Sequence, residues 1–228
     1  MSATRLTPQL HLLHLAGWQA YLWRDADGIT LVDAGPAGSD GDLLAALDEI
    51  GTKRSDIRRL VLTHFHEDHV GGAAEIATWG DVEIVAHALD APIIRGEVPG
   101  PPPNFTDAEL MLHAQVAGDL PAAPPCRVDR EVVDGDVLDI AGGALVVASP
   151  GHTDGSLALY LEAPRVLFTG DTVAEHSGQV MMGVFNLDRD RTAESFRRLS
   201  RLDSDVVCFG HGQPLLVDGG EVLRRAAG

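Results

Sequence analysis

The chain is poor in cysteine, in basic residues and in long apolar runs, and each shortage excludes something. Cys126 and Cys208 are its two cysteines among 228 residues, too few and too far apart for a disulfide framework or a cysteine-rich zinc site. Both are expected to be free thiols. Lysine and arginine total 17 against 34 aspartates and glutamates, a formal charge of -17. That balance repels a phosphate backbone and an anionic bilayer, so neither nucleic acid nor membrane is expected as a partner. No stretch approaches the roughly 18 apolar residues of a membrane span. The opening "MSATRLTPQLHLLHLAG" breaks its apolar residues with Pro8, Gln9, His11 and His14 and lacks the apolar core of a secretory signal. A cytoplasmic location is the expectation.

The composition that is present, 45% hydrophobic, suffices for one domain over residues 1–228. Short strands are predicted in "LHLLHL", "QAYLWR" and "ITLVDAG", with "DADG" (Asp25 to Gly28) as a hairpin turn. A helix is predicted over "DGDLLAALDEIG", capped by Asp40 and carrying an apolar stripe of Leu43, Leu44, Leu47 and Ile50. Strand and helix then alternate: "IRRLVLT", "HVGGAAEIATWG", "VEIVAH", "ALDAPIIR". From Gly96 to Pro125 the text turns proline-rich and reads as an insertion with a helical window around Ala108 to Ala117. It is expected to be a lid over a substrate or a contact loop, the latter in a possible homodimer. Strands resume in "GDVLDIAGGALVVASP", "SLALYLEAPRVLFTGD" and "SDVVCFGHG", with a helix at "DRTAESFRRLSRL".

Chemistry concentrates at the ends of these strands. In "VLTHFHEDHVGG" an extended His64-Phe65-His66 would point both imidazoles the same way. Asp68 and His69 would then open the next helix. Three further strands end in "PGHTDG" with His152, "FTGDT" with Asp171 and "CFGHGQ" with His211. Packing prefers apolar residues at such ends, whereas rigid scaffolds place functional groups on the loops there. His64, His66, Asp68, His69, His152, Asp171 and His211 are therefore candidate metal ligands. Seven exceed the three protein ligands of an ordinary catalytic zinc site, and two ions fit them better. Glu67 is expected to face solvent. His87 reads as a structural histidine, and His11, His14 and His113 have no supporting context. His176 is a candidate substrate contact, and "MMGVFN" (Met181 to Asn186) is placed to line the mouth of a site. Cys208 fits a buried strand position.

The T-H-x-H-x-D-H form of "THFHEDH", followed by "GHT", "GDT" and "GHG", resembles the metallo-beta-lactamase fold superfamily of hydrolases, over the stretch from "LVDAG" to "GHGQP". The resemblance implies an α/β fold, a four-layer αββα sandwich with two mixed sheets. It also implies a pairing of ligands: His64, His66 and His152 on one ion, Asp68, His69 and His211 on the other, and Asp171 bridging. Asp33 would support the metal loop by hydrogen bonding. Two divalent ions, zinc first with iron or manganese as alternatives, would hold a bridging hydroxide at neutral pH. The expected reaction is hydrolysis of a small-molecule ester, thioester, lactone or amide, with Asp68 moving the proton. Lactonases of the family share all seven ligands, yet their tyrosine after the bridging Asp has no match in "GDTVAEH". Glyoxalase II-like thioesterases carry a C-terminal helical extension, whereas seventeen residues follow His211 here. The alternative chemistry is a mononuclear iron oxidoreductase of the persulfide dioxygenase type, which would not need all seven ligands.

Overall fold

The computed structural model describes residues 2–228, which group into two compact units. The first comprises the chain up to Ala86 together with Ala91–Pro99 and Pro121–Glu131. The second comprises His87–Asp90, Gly100–Leu120 and Val132–Gly228.

A seven-stranded mixed sheet runs in chain order through β1 (Ala3–Arg5), β2 (Leu10–Leu15), β3 (Trp18–Arg24), β4 (Ile29–Val32), β5 (Ile57–Val61), β6 (Glu83–His87) and β7 (Arg130–Val132). β1 to β4 pair antiparallel because short turns join them. Ala16 and Gly17, both at positive φ, make the two-residue turn between β2 and β3, and the predicted Asp25 to Gly28 turn joins β3 to β4. β4, β5 and β6 run parallel, with helices in their connections. The first connection holds α1 (Asp40–Glu49), whose buried face is Leu43, Ala46 and Leu47. Leu44, one step and about 100° further round the helix, is exposed, so the expected stripe is narrower than drawn. Asp40 does not cap this helix. Ser39 holds the cap position, and its hydroxyl donates to the Pro36 carbonyl instead.

The helix predicted from His69 onward is two short helices, α2 (Glu67–Val70) and α3 (Ala73–Ile76). The break falls at Gly71 and Gly72, where the loop after β4 passes too close for a side chain. A Cβ on Gly71 would stand 2.2 Å from Ala37 N, and one on Gly72 2.4 Å from Ala34 O. The core of this unit gathers Leu13, Leu22, Leu31, Leu60, Leu62, Ile84 and the buried face of α1. α4 (Ala91–Ile94) contributes Ile94 to it.

The second unit holds α5 (Asp107–Val116) and a five-stranded mixed sheet in the order β14-β11-β10-β9-β8. These strands are β8 (Val137–Leu138), β9 (Ala144–Ala148), β10 (Leu157–Leu161), β11 (Val166–Phe168) and β14 (Val206–Cys208), the last parallel to β11. β12 (Val173–His176) and β13 (Gln179–Met182) form a separate hairpin turning on Ser177 and Gly178, both at positive φ. α6 (Arg189–Leu199) and α7 (Gly219–Ala227) complete the unit, and Phe196, Leu199 and Leu223 pack with Tyr160, Leu167, Val207 and Phe209 in its core. The expected insertion is thus divided, with its ends in the first unit and 100–120 in the second. Among the described residues no helix is long and apolar enough to cross a membrane.

Candidate metal centre

In the first unit the ligand run hangs from one buried acid. β4 delivers Asp33, which takes the left-handed backbone region at φ 64°. One carboxylate oxygen, Oδ1, accepts from Thr63 N at 2.8 Å. The other, Oδ2, accepts from Thr63 Oγ1 at 2.9 Å and from His69 Nδ1 at 2.8 Å. Since the single hydroxyl hydrogen of Thr63 goes to Asp33, its oxygen accepts from His64 Nδ1 at 3.0 Å. Both rings therefore carry their proton on Nδ1, and Nε2 is the nitrogen offered to an ion.

The strand stops at Val61, before the predicted Thr63, and His64 and Phe65 lie in a bend rather than in an extended run. The Asp33 clamp on Thr63 N turns the chain there. The histidines nonetheless gather: the His64 ring centroid is 4.8 Å from that of His66 and 4.1 Å from that of His69. Asp68, buried in the first turn of α2, places Oδ2 3.3 Å from His69 Nε2. Glu67 is exposed, as expected.

In the second unit three candidate ligands come from three strand ends. His152 sits in the turn after β9, and Asp90 shapes that turn. Its carboxylate accepts from Thr153 Oγ1 and from Gly155 N, each at 2.8 Å. A Cβ on Gly155 would lie 2.4 Å from Asp90 Oδ1, so glycine is required by the approach. The His152 ring places Nδ1 3.4 Å from Asn186 Oδ1, while Asn186 Nδ2 donates to Gly183 O at 2.7 Å. That second bond orients the amide with its oxygen toward the imidazole. Asp171 lies in a 3-10 turn, Gly170–Thr172, after β11. Gly183 passes so close to it that a Cβ there would stand 1.8 Å from Asp171 O. His211 follows β14, and its carbonyl accepts from Glu175 N in β12 at 3.1 Å.

The donor set suits a divalent metal. Imidazole and carboxylate together are the usual zinc donors, and bonds of about 2.0–2.1 Å in a tetrahedral site set neighbouring donor atoms about 3.3 Å apart. The observed nitrogen-to-oxygen spacings bracket that edge: 3.3 Å for His69 and Asp68, 3.0 Å from His211 Nε2 to Asp171 Oδ2, and 3.7 Å from His152 Nε2 to the same oxygen. One oxygen of Asp171 thus neighbours two histidines.

The remaining candidates separate clearly. His87 is buried and accepts from Leu89 N at 3.2 Å, and burial lowers its pKa, as befits a structural histidine. His176 ends β12, exposed, and pairs with Gln179. His113 packs its ring between Phe105 and Phe185. Cys126 and Cys208 are free and buried, and burial pushes the Cys126 thiol up to about 11. Sequence reasoning passes over Asp90, Asn186 and Glu109, and meets Thr63 only as the first letter of "THFHEDH". Asn186 carries a signal as the last residue of the "MMGVFN" segment singled out as site-lining, and Glu109 one as the acid of a T-x-x-E capping pattern.

Known proteins are similar to this chain over most of its length. The sequence profile of the metallo-beta-lactamase superfamily matches residues 19–211. The probable metallo-hydrolase YflN of Bacillus subtilis (strain 168) is 27% identical over 203 residues, covering 81% of this chain and 75% of its own. A hydroxyacylglutathione hydrolase of Rhodobacter capsulatus is 29% identical over 199 residues, covering 84% of this chain, which spans only 61% of that enzyme. Among solved structures, the family protein TTHA1429 of Thermus thermophilus superposes with a TM-score of 0.72 at 26% identity, over 98% of this chain and 78% of its own. The metallo-beta-lactamase SMB-1 gives 0.76 at 21% identity, over 100% and 92%.

Proposed function

Because the chain belongs to the metallo-beta-lactamase superfamily, whose fold it has and whose relatives include metal-dependent hydrolases, we propose that its seven donors hold two divalent ions and hydrolyse a small-molecule ester, thioester, lactone or amide. In this reading His64, His66 and His152 take one ion, and Asp68, His69 and His211 take the other, with Asp171 shared. Zinc is the ion that this imidazole and carboxylate set suits best, ahead of iron and manganese. The observation that carries the proposal is the position of Asp171 Oδ2, within 3.7 Å of His152 Nε2 and 3.0 Å of His211 Nε2. A carboxylate beside one histidine of each set is what a bridging ligand requires.

When bound, such ions lower the pKa of a water toward neutrality and polarise a carbonyl oxygen. The protein's own groups do the rest. Asp33 and Thr63 hold the Nδ1 protons of His69 and His64 in place, fixing which nitrogen faces inward. Asp68, through the carboxylate oxygen left free of the ion, receives the proton given up by the attacking water and passes it to the departing oxygen, sulfur or nitrogen.

Metal analysis and a substrate panel test this directly. The protein as purified, then zinc-loaded, is assayed on thioesters, lactones, aryl esters and beta-lactams, with thioesters first because of the hydroxyacylglutathione hydrolases among its relatives. The expected outcome is about two zinc ions per chain and hydrolysis that a chelator abolishes and added zinc restores. One iron per chain with oxygen consumption, or no metal bound at all, would overturn it.

A further inference from the structure

Helix α5 reverses the usual pattern of a surface helix. Leu110, Met111, Leu112 and Val116 are exposed, and the side chain it buries is the carboxylate of Glu109, at 6% exposure. A buried carboxylate persists only where donors compensate its lost hydration. Four do so here. Thr106 N and Thr106 Oγ1 each donate to Oε2 at 2.9 Å, Phe185 N donates to Oε1 at 3.2 Å, and the Arg189 guanidinium donates to Oε2. Burial works to raise the carboxyl's pKa, but Arg189, Thr106 and Phe185 together hold it down at about 2.

The two Thr106 bonds are an ordinary capping box, complete within the helix itself. The bonds to Phe185 and Arg189 reach 76 and 80 residues along the chain, to a segment with its own task. Asn104 seconds them, its N donating to Asn186 O at 2.9 Å and its Nδ2 to Leu187 O. On its other side this segment grips the His152 turn. Leu187 N donates to His152 O at 3.2 Å, Asp188 N donates to Gly151 O at 2.9 Å, and Asn186 Oδ1 meets His152 Nδ1. Phe185 itself adopts φ 62°, a strained region for an aromatic residue, which the surrounding bonds must hold.

We propose that Glu109 is a positioning residue for the metal ligand His152: with Arg189 it clamps the Phe185-to-Arg189 segment, and through Asn186 fixes the tautomer and direction of that imidazole. The proposal rests on the dinuclear reading above. It makes the 100–120 segment a brace of the site, with its apolar face turned outward.

Glu109→Gln separates the clamp from the cap, because glutamine serves a capping box as well as glutamate does but gives Arg189 no charge partner. Arg189→Met breaks the other end, Arg189→Lys keeps a cation there, and Met111→Ser on the exposed face is the control. Zinc retention is read by dialysis against graded chelator, and the cobalt-substituted protein by its visible absorption. Wild type and Met111→Ser should retain two ions. Glu109→Gln and Arg189→Met should keep their far-ultraviolet circular dichroism yet hold one of the two ions about tenfold more weakly, with a changed cobalt spectrum, as befits loss of support behind a ligand histidine. Arg189→Lys should recover most of that loss. Retention of both ions at wild-type strength in Glu109→Gln and Arg189→Met, with only thermal stability reduced, would overturn the clamp. If Glu109→Gln does not fold, Arg189→Met and its lysine rescue decide alone. Wild type holding fewer than two ions would instead overturn the dinuclear reading, and the same titration shows which has failed.

Discussion

The two units carry their candidate ligands in opposite ways. The first supplies four donors from six consecutive residues, His64 to His69, and one acid, Asp33, reaches two of the histidines through Thr63 and directly. The second supplies three donors spread from His152 to His211, each steadied by a different group. Asp90 shapes the His152 turn, Asn186 meets the ring, Gly183 seats against Asp171, and β12 holds the His211 carbonyl. A contiguous cluster is steered by one buried hydrogen-bond hub, while a dispersed one relies on tertiary contacts at each strand end. The first arrangement concentrates vulnerability and the second distributes it.

That contrast predicts unequal damage from equivalent mutations. Asp33→Ala removes support from two imidazoles and should weaken zinc retention about a hundredfold, the upper end of what such outer contacts contribute. Asp90→Ala leaves the Asn186 contact in place and should weaken it only about tenfold. Equal losses in the two variants, measured by competition with a chromogenic chelator, would erase the distinction. Smaller effects are expected in folding stability. A methyl group at Gly71 meets backbone at 2.2 Å and one at Gly155 meets the Asp90 carboxylate at 2.4 Å. Each alanine should cost about 1–3 kcal/mol in urea unfolding, with Gly71→Ala the worse because its three nearest contacts are all backbone, whereas at Gly155 only Asp90 N, at 2.6 Å, is backbone. A further effect on stability is a pH dependence specific to the second unit. Glu109 has its folded pKa lowered from 4.5 to about 2, so its contribution is fully present above about 4.5 and is lost as pH falls toward 2. Acid unfolding of Glu109→Gln should lack that component and run flatter over this window than the wild type.

The same contrast explains what can be read from the sequence. The His64 to His69 run is legible because its donors are adjacent, and the strand ends bearing His152, Asp171 and His211 because each apolar run stops at a glycine-flanked polar residue. The mixed sheets of the fold are legible only through the family resemblance that those motifs carry. What escapes depends on approach rather than on local pattern. Gly71 and Gly72 divide a helix because the loop after β4 crosses them. Asp90 falls in a stretch of helical pattern, yet turns its carboxylate to Thr153 and Gly155, more than sixty residues on. β12 and β13 lie where no strand is predicted, although Ser177 and Gly178 offer a hairpin turn, and α7 lies beyond the last motif that local pattern marks. Glu109 looks like an ordinary capping acid near a helix start, three residues after Thr106; its other partners, Phe185 and Arg189, lie beyond any window of local inspection.

The outward face of α5 has a practical use. Both native thiols are buried, and Met111 stands 63% exposed on a helix whose inner anchor lies two positions away. A cysteine introduced there becomes the accessible attachment point on the described surface, so a dye or a resin linkage can be mounted on the brace itself. If the clamp holds, such a label should report, by its fluorescence, on the shape of a reaction centre that it does not touch.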